Sequence, residues 1–102
     1  ENKEIYEQYH VSAFSMLIAG MFSAGKYNEI IKLENAYRDY VIEKDEYQGL
    51  LSMTNFYIGS SFVNNGNISK GAFYMTLASR GATSKAQSAY FNSFIDKISS
   101  YL

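Results

Sequence analysis

The chain has 102 residues, enough for one domain around one hydrophobic core, and its 47% hydrophobic content excludes a disordered segment. It holds no cysteine, so no disulfide framework or thiolate metal site can form, and a reducing, cytoplasmic setting is expected. Residues 1–47 carry nine acids and five bases and the remainder one acid and four bases. Because Lys70, Arg80, Lys85 and Lys97 are scattered, nucleic acid is not expected as a partner.

Proline is absent, which favours long helices. The chain opens at Glu1 without an initiator methionine and reads as a processed form or an excerpt of a longer protein. The uncharged run from Tyr47 to Ser69 is interrupted by Gln48, Asn55, Asn64, Asn65 and Asn67. It is too polar to span a bilayer, so no membrane partner is expected.

Helical periodicity recurs five times. A first helix is expected from about Lys3 to Ser23, with Ile5, Tyr9, Ala13, Leu17 and Met21 as its stripe, ended by Gly25-Lys26. A second runs from Tyr27 to Glu43 through Ile30, Leu33, Tyr37 and Val41. Asp45 is a suitable N-cap for a third, reaching Asn64 with Leu50, Leu51, Thr54, Ile58, Ser61 and Phe62 inward. Asn65-Gly66-Asn67 forms a turn, Ser69 caps a fourth helix, and Gly81 ends it as a left-handed residue. Thr83 or Ser84 caps a fifth, whose apolar face is Tyr90, Phe91, Phe94, Ile95, Ile98 and Leu102.

The fold class is therefore all-α: two antiparallel hairpins (about 3–43 and 45–81) and a C-terminal capping helix (about 83–102), in a single domain over 1–102. Two stretches, Ser12–Gly25 and Tyr47–Ser69, hold no ionisable group other than tyrosine. A helix that is apolar or small on every side has neighbours on every side, which makes the third helix central. Superposing Gly25 on Gly66 sets Leu17 over Ile58 and Met21 over Phe62, an offset of 41 residues suited to a helical repeat.

The stretch Tyr57-Ile58-Gly59-Ser60-Ser61-Phe62, followed by Gly66, Ala72 and Ala78, resembles a tetratricopeptide repeat. In the first hairpin Phe14, Leu17, Gly25 and Tyr27 fit, whereas Ile18 and Tyr37 replace the small residues of that pattern. The resemblance implies a right-handed array whose first helices line a concave surface. Carried over, that surface would present Ser15, Ala19 and Phe22, then Phe56, Ser60, Val63 and Asn64. Ser15 and Ala19 cannot clamp a carboxylate, so the implied partner is an apolar or aromatic protein or peptide segment, with self-association included. The run Gly25-Lys26-Tyr27-Asn28-Glu29, then Glu34 and Tyr37, followed by Gly66-Asn67 and Gly71-Ala72, resembles a small helical prokaryotic family of unknown function that carries an H-E-x-x-E-x-x-W motif on its second helix. Here Ile30 and Ile31 replace the His-Glu pair and Tyr37 the tryptophan, while Glu34 remains. This second resemblance implies a small-ligand-binding or enzymatic alternative using Glu34 and Tyr37, with His10 as a further candidate.

The residues themselves offer little chemistry. His10 is the lone histidine, too few for a zinc site, although Glu7 three residues earlier could orient it as a base. Glu29 and Glu34 are five residues apart and point about 140° away from each other on a helix. No Gly-rich phosphate loop is present, and the acidic turn Glu43–Glu46 lacks the oxygen spacing of a calcium loop. No catalytic residue, metal or cofactor is expected, and the function expected is a non-enzymatic interaction or scaffold domain.

Overall fold

A computed structural model describes the backbone of residues 2–38 and 48–101 and the side chains of 9–36, 38 and 48–101. These residues form five helices and no strand: α1 (Asn2–Ser23), α2 (Tyr27–Arg38), α3 (Ser52–Asn64), α4 (Ile68–Arg80) and α5 (Lys85–Ser99).

The two hairpins turn in the same way, bond for bond. After α1, the Gly25 amide donates to the Phe22 carbonyl (3.0 Å) and the Lys26 amide to that of Met21 (2.9 Å). After α3, the Gly66 amide donates to Val63 (3.0 Å) and the Asn67 amide to Phe62 (2.8 Å). This is the Schellman ending, and it requires a left-handed residue that glycine adopts without steric penalty. Gly25 and Gly66 have φ of 73° and 88°. The following helices also begin alike, with Ile30 bonded to Lys26 and Gly71 to Asn67.

Several expected boundaries shift. Residues 48–51 form a turn, so α3 starts at Ser52; the Asp45 cap and the end of the second helix at Glu43 lie outside the described residues. Asn67, not Ser69, caps α4, accepting from the Lys70 amide at 3.2 Å, while Ser84 caps α5. Gly81 is not left-handed, with φ of −87°. It is needed because a Cβ there would collide with the backbone of Gln48.

Eight of the thirteen residues of α3 are buried, against four of thirteen in α4. On one side Ile58 and Phe62 join Val11, Phe14, Ile18, Ile30 and Tyr74 from α1, α2 and α4. On the other Phe56 meets Met75, Ala78, Phe91 and Ile98, with Phe94 and Ile95 packed against them, so α5 closes the open edge of α3 and α4. Leu50, expected inward, is exposed in the turn, and Tyr90 is half exposed. The α1 stripe is also rotated. Tyr9, Ala13 and Leu17 face outward, and Val11, Phe14 and Ile18 are buried instead. Steps of four residues advance about 40° per step and drift off a face, whereas alternating steps of three and four stay on it.

At the crossing of α3 and α4 the backbones nearly touch. A Cβ on Gly59 would lie 2.9 Å from the Gly71 carbonyl oxygen, and one on Gly71 would overlap Val63 Cγ2. Gly59→Ala should therefore destabilise the fold by about 1–3 kcal/mol through overpacking. Gly20, mid-helix with nothing within 4 Å of its Cβ position, should respond oppositely. Gly20→Ala should gain up to about 1 kcal/mol from helix propensity. Urea unfolding in dilute solution checks the pair, and a shared sign would contradict the close approach.

Candidate functional site

Glu34 is the one acidic side chain described as buried, 2% exposed, and it is held by three neighbours. One turn on, Arg38 donates to Oε2 from Nη2 (3.0 Å) and Nε (3.3 Å). From α4, Lys70 Nζ donates to Oε1 at 3.1 Å, and the Tyr74 hydroxyl donates to Oε2. Lys70 and Tyr74 are four residues apart and so share one face of α4. Phe62 completes the setting: its ring stacks on Tyr74, nearly parallel, and Lys70 Nζ sits 5.0 Å from its centroid. The cluster ties α2 to α4 across the end of α3.

Burial pushes the Glu34 carboxyl up, but hydrogen bonds from Tyr74, Lys70 and Arg38 outweigh it and hold the group below its ordinary range. Burial and the adjacent carboxylate raise the Tyr74 phenol, which stays protonated and serves as donor. A general acid needs the opposite, a carboxyl raised toward neutrality. Glu34 is thus an ionised anchor. Among the described residues no three His, Cys, Asp or Glu side chains gather to hold a metal ion, and no helix is long and apolar enough to cross a membrane.

The seven residues expected to line a binding surface are placed as follows. Phe56 is 5% exposed, with Tyr90, Phe91 and Phe94 of α5 around its ring at centroid distances of 5.0–5.5 Å. Phe22 is half-buried, stacked on Tyr57 at 4.5 Å. Ser15, Ala19, Ser60 and Val63 are half-buried, Ser15 bonding back to the Val11 carbonyl, and Asn64 is exposed. Phe22 and Phe56 are therefore neighbours, 6.5 Å apart, but α5 occupies the space over Phe56. Of the alternative set, His10 is exposed, and the Tyr37 side chain lies outside the described residues.

Three of the exposed large apolar side chains among the described residues share the outer face of α1, the others being Leu50, Phe73, Tyr90 and Tyr101. Met16 is 76% exposed, Tyr9 71% and Leu17 45%. With the exposed Ala13 and Gly20 they span an arc of about 100°. A groove of about 400 Å³ follows this face past Met21 and Ala24 toward Lys26 and Glu29. With Val11, Phe14 and Ile18 in the core, Tyr9, Met16 and Leu17 are left on the outer side of α1.

No family model matches the chain, and neither a curated protein nor a solved structure matches it.

Removing the anchor should cost stability in proportion to burial. Glu34→Ala should lose about 1.5–3 kcal/mol, since its hydrogen bonds involve a buried charge, whereas Arg38→Ala should lose clearly less because Arg38 is half exposed. The pH dependence follows from the lowered carboxyl. Its contribution is complete above the unfolded-chain value of about 4.3 and is lost as pH falls below it through the folded value. Acid titration of thermal stability should show a shallower loss in Glu34→Gln than in the parent. Identical profiles would show that Glu34 is not the anchor.

Proposed function

We propose that this chain is a non-enzymatic interaction module, a right-handed tetratricopeptide-like array of two hairpins closed by α5, operating in the cytoplasm. It receives an apolar or aromatic helical segment of a protein or peptide on a helical face. The observation that carries this reading is the uncharged outer face of α1, where Tyr9, Met16 and Leu17 remain exposed. Apolar patches of a few hundred Å² on a soluble monomer commonly mark interaction sites.

The repeat reading is supported by the two matching turns and helix starts, 41 residues apart, and by α5 lying across α3 and α4 as a terminal cap does. The alternative, ligand or catalytic use of Glu34 and Tyr37, has weaker support. Both Glu34 oxygens are already engaged by cationic or phenolic donors.

The test is a heteronuclear NMR titration of the chain with an amphipathic, leucine- and phenylalanine-rich helical peptide. Shifts are expected at Met16, Leu17 and Gly20, and they should vanish in Met16→Glu while the spectrum stays folded. An absence of shifts at millimolar peptide, or shifts centred on Glu34 and Tyr74, would contradict the reading.

A further inference from the structure

We infer that the outer face of α1 pairs with the same face of a second copy, forming an antiparallel, two-fold symmetric dimer. This rests on the interaction reading above and names its partner.

The first support is the correspondence between the hairpins. In the register that superposes the two turns, Leu17 matches Ile58 and Met16 matches Tyr57. Ile58 is fully buried in the cluster that α3 shares with α1 and α2, and Tyr57 is packed against it. The same face is thus covered by helices on α3 and bare on α1. What fits it is another apolar helix, as already fits its counterpart.

The second support is self-complementarity. With a two-fold axis between Met16 and Leu17, antiparallel copies set Met16 of one against Leu17 of the other. Ala13 then meets Gly20, where two small residues let the helix axes approach, and the bulky Tyr9 meets Ala24. An isologous interface needs this kind of matching of one patch to itself. Charge agrees at the centre of the face: Ser12–Gly25, which carries Ala13, Met16, Leu17 and Gly20, contains no ionisable group and so does not repel its own copy. Lys26 and Glu29 lie at the far end of the groove.

Area sets the strength. Tyr9, Met16 and Leu17 expose on the order of 300–400 Å² per copy. Counted on both copies with the small residues between, the interface comes to about 1,000 Å² in total, the lower end for specific association. The dimer should be weak, with a dissociation constant on the order of 100 µM.

Sedimentation equilibrium over a wide concentration range tests this on the whole chain. The parent should pass reversibly from monomer to dimer. Met16→Glu should weaken association by more than about tenfold, because pairing would bury unpaired charges. Phe73→Glu, which charges an exposed aromatic on α4, should leave association unchanged. As the chain has no cysteine, Met16→Cys provides a second measurement. Mild oxidation should trap it as a disulfide dimer much faster than Phe73→Cys. A parent that stays monomeric, equal effects of the two glutamate variants, or equal trapping of the two cysteine variants would each overturn the dimer. If a monomeric parent still binds the helical peptide at Met16 and Leu17, only the dimer falls. If it binds nothing there, the interaction reading falls too.

Discussion

A methyl group placed on Gly59 would press to within 2.9 Å of the Gly71 carbonyl oxygen, and that separation sets how the other helices are arranged. Two helices approach this closely where each presents a glycine to the other, and the space left over Gly71 is taken by the Val63 side chain. The approach places α4 beside α3 at a distance that brings Lys70 and Tyr74 within hydrogen-bonding reach of Glu34 on α2. It also brings Phe62 and Tyr74 face to face, so that one aromatic pair serves both the core and the ion cluster. The remaining sides of α3 are left for α1 and α2 on one flank and α5 on the other.

Enclosing α3 on so many sides has a cost in polar groups. Ser52 donates to the Ala78 carbonyl at 2.6 Å and Ser61 to that of Tyr57 at 2.8 Å, so both hydroxyls are satisfied inside the core. Asn55 is not: it is fully buried, and neither atom of its amide has a hydrogen-bond partner. Such a group works against folding by about 1–3 kcal/mol, which the apolar clusters around it must offset. Among the described residues the one buried carboxylate, Glu34, is paired with two cations that each remain about half exposed, and the arrangement holds α2 against α4.

Much of this was legible in the residues. The uncharged run around Leu51–Phe62 marked α3 as the enclosed helix, the Gly25 and Gly66 turns marked the hairpins, and Phe91 and Ile98 marked the inner face of α5. What was not legible depended on partners distant in sequence. Position 34, four residues after Ile30, falls beside the apolar stripe of α2. A carboxylate is ordinarily solvated, however, and nothing near Glu34 announces that Tyr74, forty residues on, will donate to it. Gly81 reads as a helix terminator, yet its small size matters because the chain returns to it at Gln48. The buried face of α1 is not legible in its sequence because that helix is apolar or small nearly all round over Ser12–Gly25 and admits two stripes. Val11, Phe14 and Ile18 take the core because they meet Ile30, Ile58 and Phe62 there. Phe56 carries bulk on a second face of α3 because α5 is there to receive it.

Native-state hydrogen exchange, read residue by residue, tests most directly whether α3 and its contact with α4 organise the fold. Amides opening only on global unfolding should concentrate in α3 from Asn55 to Phe62 and in the facing turns of α4 around Tyr74, with α1 and α5 exchanging through smaller openings. If the slowest amides lay instead in α1 or α5, and those of α3 exchanged at the rate of fraying ends, the crossing at Gly59 and Gly71 would not be what holds this structure together.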